Sequence, residues 1–236
     1  TVLGVMLFGW KKVSDRLQCV ATGRGALGTL TSAFWIISAN SWMQTPQGYS
    51  IDAQGVLQPA DWWAIVFNPS FPYRLAHMVL AAFITTCFVI GGAGAWYLRR
   101  GVHVDAGKRM LVHAMAFAAI AVPLQIVAGD LHGLNVREHQ PVKLAAMEAH
   151  WRSEGDGRGV PLVLFAVPDE REERNDYEIA IPRLGSLVLT HSLHGDIQPL
   201  TAVPREERSP VKPVFSSFRP LVRLTVSMLL LALASP

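Results

Sequence analysis

Between Leu75 and Leu98 the chain runs for 24 residues without one Asp, Glu, Lys or Arg. A helix needs about 20 consecutive, mostly apolar residues to cross the hydrocarbon core of a bilayer. Buried helices of soluble proteins are rarely so long and so free of charge. Met110–Gly129 has the same property over 20 residues, and Leu17–Asn40 is a third candidate, with Arg24 inside it. The apolar runs Val2–Trp10 and Leu224–Ala234 at the two ends are each too short to span, and are expected to belong to two further helices. The spacing therefore predicts an all-α, multi-span helical membrane protein.

Charge is confined elsewhere. Of the 39 charged residues, 24 lie between Asp130 and Lys212, ten basic and fourteen acidic. The segment 130–213 is thus read as one long polar loop between the helices of 1–129 (partial 1–10, then 17–40, 75–98 and 110–129) and the start of a truncated span over 214–236. Within it, Lys143–Trp151 reads as a short helix and Tyr177–Leu189 as a strand or extended lid. The run from Pro168 to Arg174 reads as a solvated face. A net charge of +3 suggests no nucleic-acid partner, because the basic residues form no stripe and carry no nucleic-acid signature. Cys19 and Cys87 both sit in apolar runs, without metal or redox spacing, and read as small hydrophobes.

The short loops orient the helices. Lys11, Lys12 and Arg16 precede the Leu17 helix, and Arg99, Arg100, Lys108 and Arg109 separate the next two spans; Ser41–Pro72 holds no Lys or Arg. Positive charge stays cytoplasmic, so 99–109 faces the cytoplasm while 41–72 and, by alternation, 130–213 face outward. Trp35, Trp42, Trp62, Trp63 and Tyr73 supply an aromatic belt on the outer side, Trp10, Trp96 and Tyr97 on the inner.

Few residues in such a chain carry chemistry. His77 lies three residues beyond Arg74 among apolar neighbours. A histidine within a span is expensive unless it is paired, ligating or lining a pathway, and imidazole is the common axial ligand of membrane haem b. Position alone leaves haem ligation and a hydrogen bond to a neighbouring helix both open; His113 is a weaker candidate. Lys143 and Glu148 are five residues apart, about 140° around a helix, so they either flank one site from two sides or are separate surface residues. Asp130 is a boundary residue or an acid at the mouth of a proton exit.

Several motifs resemble subunit I of the cytochrome bd-type quinol oxidases. They are Phe8-Gly-Trp10, Ser32-Ala-Phe-Trp35, Ala39-Asn-Ser-Trp-Met-Gln-Thr-Pro46, Ala95-Trp-Tyr-Leu98, Gly129-Asp130, Lys143-Leu-Ala-Ala-Met-Glu148, Pro161–Pro168, Ile181-Pro182 and Phe218-Arg219. They run in family order over nearly the whole chain, and Thr190-His191-Ser-Leu193 suggests the cyanide-insensitive branch. The resemblance implies that His77 is an axial iron ligand of the low-spin haem b, that Arg219 lies by that haem, and that Lys143 and Glu148 bind and oxidise quinol. It makes 130–213 an extracytoplasmic quinol-binding loop. It further implies ubiquinol as substrate, a high-spin haem b and haem d bound by parts of the enzyme outside this chain, a second membrane subunit as partner, and the bacterial inner membrane as location. A quinol:oxygen oxidoreductase results in the full complex, with this segment alone expected to be inactive.

Two places depart from the pattern: Gly23-Arg24-Gly25 stands in the Leu17 helix where the family has an apolar, tryptophan-containing stretch, and the second lies just after Arg219. The family's second axial ligand is a methionine two residues after the arginine matched by Arg219, and here it is Leu221, which cannot coordinate iron; Pro220 stands between them, at an expected helix start. Met228 is seven residues on, about 10 Å along a helix, and does not substitute directly. Two rival readings remain at this stage, a haem-free transporter segment with His77 and Asp130 on an ion pathway, and a non-functional remnant of the oxidase subunit.

The orientation is testable by cysteine labelling with a membrane-impermeant reagent. Gln54→Cys and Asp156→Cys are expected to label in intact cells and His103→Cys to remain unlabelled. Labelling at 103 alone would reverse the orientation.

Overall fold

The structure, a computed structural model, describes residues 2–153 and 158–234; positions 1, 154–157 and 235–236 lie outside the described residues, among them the labelling position 156. The chain divides into two compact units, Thr1–Leu75 and Ala76–Pro236.

In the first unit, α1 (Val2–Phe8) is followed by α2 (Asp15–Trp42). Ser14 caps α2 by accepting from the Leu17 amide, and Gln18 Nε2 donates to Met6 O at 2.9 Å, tying the two helices together. A two-stranded antiparallel hairpin, β1 (Tyr49–Ile51) and β2 (Leu57–Pro59), leads to the short α3 (Trp62–Val66). The Ala39–Pro46 motif finds its role here. Asn68 is fully buried; its Nδ2 donates to Ser41 Oγ at 2.9 Å and to Ile65 O at 3.1 Å, and its Oδ1 accepts from Thr45 Oγ1 at 3.2 Å. Phe34, Phe67 and Phe71 meet edge to face beside it, with centroids 5.0–6.0 Å apart. Arg74 Nη1 donates to Asn40 Oδ1 at 3.1 Å.

In the second unit, α4 (Phe71–Arg100), which starts at the end of the first, pairs with α5 (Val104–His139). Their close approach depends on glycine. A Cβ on Gly94 would stand 2.8 Å from Gly107 O, which forces a shift of backbone, and one on Gly107 would stand 3.0 Å from Gly94 O, a tight contact. Ile84, Cys87 and Phe88 of α4 then pack with Ala118, Ala121 and Val122 of α5 and with Met228, Leu229 and Ala232 of α8 (Val211–Ala234).

The polar segment between α5 and α8 has cores of its own. α6 (Pro141–Glu148) follows α5 after a single residue, with Pro141 at its first position. β3 (Leu162–Asp169) and β4 (Arg174–Ile181) form an antiparallel hairpin, and α7 (Leu184–Thr190) follows. Ala145, Ala146, Ala149, Trp151, Val163, Ala166, Leu200, Val211 and Phe215 make one apolar core, and Val136, Leu144, Val160 and Ile197 another.

Among the described residues, three helices are long and apolar enough to cross a membrane: α4, α5 and α8. α2 occupies the predicted Leu17–Asn40 region but is not among them, since Arg24, three glycines and several hydroxyls lower its apolarity. α8, expected as the short start of a truncated span, has 24 residues and begins at Val211, which places Pro220 inside the helix and not at its start. Two small sheets qualify the all-α expectation. α5 does not stop near Asp130 but continues to His139, because Asn135 and Val136 remain buried and reward further turns. The extended region predicted at Tyr177–Leu189 ends at Ile181 and becomes helical at Leu184.

The charge run is also more than a solvated face. Asp169 Oδ1 accepts from the Arg171 and Glu172 amides and closes the β3–β4 turn. Glu170 Oε1 accepts from the Lys212 amide at 3.0 Å, at the N-terminal end of α8. Glu173 Oε1 accepts from Arg208 at 2.8 Å and Arg205 at 2.9 Å, and these bonds hold its carboxyl below the usual range.

Leu200, fully buried, joins α6 and α8 within this core. Leu200→Ala is expected to destabilise it by about 2–5 kcal/mol. Faster cleavage between 158 and 210 in limited proteolysis is the measurement, with the half-exposed Leu187→Ala as a control of little effect.

Candidate functional site

The site is built where α6 meets α8. The buried face of α6 is Leu144, Ala145, Ala146 and Glu148, and the helix ends immediately afterwards with Ala149 in the left-handed region at φ 51°. This stop leaves the Glu148 carboxylate at the helix end, 4% exposed, in an ion pair with Arg219 of α8, itself 4% exposed. Arg219 Nη2 donates to Glu148 Oε2. The guanidinium carbon lies 5.0 Å from the Phe215 ring centroid and 5.7 Å from that of Phe218, so aromatic faces cover the cation. Burial pushes the Glu148 carboxyl above the usual carboxylate range, while the charge and hydrogen bond of Arg219 pull it down; burial is the larger effect.

Lys143 takes a different partner. It is half-buried, and its Nζ lies 3.5 Å from Gln140 Oε1. Of the sequence candidates on α6, Glu148 therefore meets Arg219, 71 residues away, while Lys143 lies beside Gln140.

His77 sits on α4, facing Gly129 of α5. A Cβ on Gly129 would stand 3.4 Å from His77 Cε1, so the glycine leaves the ring its space. His77 Nδ1 is buried and has no hydrogen-bond partner among the described residues. The His132 ring lies 5.6 Å away, centroid to centroid, at 62°. Gln125, Gly129 and His132 are spaced i, i+4, i+7 and share one face of α5, and Gln125 Oε1 is another buried atom without a hydrogen bond. Sequence reasoning missed Gln125 and His132, although that spacing in a charge-free span was the available signal. The donor set suits haem. A haem brings four ring nitrogens and needs axial ligands only, and a buried imidazole nitrogen without a partner fits that need. Leu221, by contrast, is 53% exposed and offers no donor atom.

The remaining candidates lie apart. His113 Nδ1 is 2.7 Å from its own helix's Arg109 O, on an exposed side. Asp130, inside α5, pairs with His191 Nε2 at 3.1 Å and so links α5 to the end of α7.

A sequence profile described as "Cytochrome bd terminal oxidase subunit I" matches residues 1–235. The chain belongs to this family. It is 34% identical over 194 residues to "Cytochrome bd-II ubiquinol oxidase subunit 1" of Escherichia coli (strain K12), covering 82% of this chain and 37% of the relative. It is 29% identical to "Cytochrome bd ubiquinol oxidase subunit 1" of Bacillus subtilis (strain 168), covering 98% of this chain and 51% of the relative. Its fold is similar to "The structure of bd oxidase from Geobacillus thermodenitrificans", with a TM-score of 0.83, 28% identity, and coverage of 98% of this chain and 52% of that one. The chain spans about half the length, or less, of these relatives. Membership places it among the cytochrome bd terminal oxidase subunits I, and three of its helices are long and apolar enough to cross a membrane.

The buried pair generates a stability prediction. Arg219→Ala leaves a carboxylate buried without its cation and is expected to destabilise by about 3–5 kcal/mol, whereas the neutral pair Glu148→Gln/Arg219→Gln loses less. Because the folded state raises the Glu148 carboxyl, its contribution is fully present below the unfolded value of 4.5 and is lost as pH rises through the folded one. The Arg219→Ala deficit should therefore shrink on acidification, measured as thermal stability against pH.

Proposed function

We propose that this chain is the quinol-oxidising part of a bd-type terminal oxidase in the bacterial plasma membrane. The observation that carries the reading is a buried carboxylate with a raised affinity for protons, Glu148, paired with a buried guanidinium on a spanning helix. Quinol oxidation releases two protons and two electrons, and a carboxylate held out of water is suited to accept a proton from a quinol hydroxyl. Lys143 supplies positive charge from the same helix, α6. His77, for whose ring Gly129 makes room, would hold the low-spin haem b. Held there, that haem would supply a one-electron acceptor for quinol oxidation.

The residues 41–72 and 130–213 face the periplasm in this reading and 99–109 the cytoplasm, which the asymmetry of Lys and Arg in the short loops supports. Protons accepted at Glu148 then leave outward. The oxygen-reducing high-spin haem b and haem d, and the second membrane subunit, are supplied by the rest of the complex.

In the complex carrying this sequence, Glu148→Ala and Lys143→Ala are expected to lower quinol oxidation by about tenfold or more with haem content near parental, since general-base catalysis contributes about 10²–10⁴-fold. His77→Ala is expected to remove the low-spin haem b from the reduced-minus-oxidised spectrum. Leu221→Met should convert that haem to a six-coordinate form. Parental rates in both α6 variants would make Lys143 and Glu148 structural residues, and a parental complex without haem absorption would favour a transporter.

A further inference from the structure

A cavity of about 240 Å³ opens beside the head of α8, with Trp151, Glu170, Arg205, Arg208, Pro210 and Val211 in its walls. Pockets for drug-sized ligands run to about 300–1,000 Å³, so this one suits a smaller group. Its walls carry both signs of charge. Arg205 gives Nε to Glu173 Oε1 and Nη2 to Arg171 O, and Arg208 gives Nη1 to the same Glu173 oxygen and Nε to Val203 O. Two guanidiniums thus share one carboxylate, and Nη1 of Arg205 and Nη2 of Arg208 stay outside these bonds. Glu170 gives Oε1 to the Lys212 amide and keeps Oε2 outside that bond. Trp151 is 6% exposed and tied through Nε1 to Asn175 Oδ1 at 2.9 Å, so its ring is a fixed part of the wall. A plain anion in the cavity would meet Glu170, and a plain cation would meet the two arginines. A small group with one anionic and one cationic end satisfies both.

Position narrows the class. Val211 is the first residue of α8, a helix long and apolar enough to cross a membrane, and the charge-free run Leu224–Ala234 lies at the far end of that helix. The head of a spanning helix stands in the polar layer, about 5–7 Å deep beside the hydrocarbon core, where phospholipid headgroups lie. We propose that this cavity binds the headgroup of a phospholipid that carries a phosphate and a primary ammonium, with the phosphate on Arg205 and Arg208 and the ammonium on Glu170. The guanidinium forks match phosphate oxygens. A primary ammonium has three N–H donors for a carboxylate oxygen, whereas a quaternary one has none, and the Trp151 ring attracts the same cation. A lipid held there joins three stretches of chain that are distant in sequence: the β3–β4 turn with Glu170, the segment 205–208, and the first turn of α8.

The test is hydrogen exchange of the amides of 203–212 in the intact complex in detergent, titrated with dihexanoyl-phosphatidylethanolamine, with the matching phosphatidylcholine and phosphatidylglycerol, and with free O-phosphoethanolamine. The ethanolamine lipid is expected to slow exchange at about tenfold lower concentration than either of the other lipids, the usual scale for a hydrogen bond to a charged group. Glu170→Gln retains an acceptor for the Lys212 amide and is expected to erase the preference for ethanolamine over choline. Arg205→Gln leaves Arg208 on Glu173 and is expected to weaken the binding of the ethanolamine lipid about tenfold. Protection by O-phosphoethanolamine equal to that by the lipid supports the two-signed site and places its ligand in solution. Equal protection by all three lipids, tighter binding of phosphatidylglycerol, exchange that no probe alters, or variants that respond as the parent does would each overturn the proposal.

Discussion

The contact between Glu148 and Arg219 is the constraint around which the second unit is arranged. Two charges removed from water must meet each other, and they belong to elements of opposite character: a short helix in the polar segment and a long apolar helix. For the pair to form, α6 must end where it does and α8 must start early enough to present Arg219 to it. The alanines of α6, the buried Leu200 and Phe215 pack around the junction and exclude the solvent that would otherwise weaken the pair. The polar segment is thereby fastened to a membrane helix by electrostatics that are strong because they are dry.

A second polar cluster, on α4 and α5, follows the same logic within an apolar helix pair. His77 and Gln125 would each be an expense in a span, and the buried His77 Nδ1 and Gln125 Oε1, with no hydrogen-bond partner among the described residues, indicate that the span was not shaped for its own stability there. Below this level, α4 and α5 are joined by glycine contact and by small residues, which requires nothing of water or ligand.

Much of the architecture was legible from residue order. Charge-free runs located α4 and most of α5, and the run Lys143–Trp151 located α6, although that helix spans Pro141–Glu148 and stops three residues earlier than expected. What escaped was set by tertiary contact. α5 runs past Asp130 because Asn135 and Val136 are buried by partners far along the chain, and the hairpin of β3 and β4 gains its packing from α6 and α8. The candidate site divides in the same way. Glu148 and His77 stand out by their position in the sequence, but the pairing of Glu148 with Arg219 joins residues 71 apart, and no helical or strand period encodes it. The five-residue spacing left open whether Lys143 and Glu148 share a site, the family resemblance put them together, and the structure sets Lys143 beside Gln140.

α5 is one continuous helix of 36 residues with Pro123 inside it, about 54 Å long at the ideal rise, against a hydrocarbon core of about 30 Å. A rod so much longer than the bilayer is thick turns the lipid composition into a mechanical variable. Where the bilayer thickens, a helix adjusts chiefly by tilting, and any tilt is magnified at the protruding end, where Val136 anchors one of the cores of the polar segment. With α5 read as a span, acyl-chain length in the host membrane has a lever arm on the position of α6, which follows α5 after a single residue.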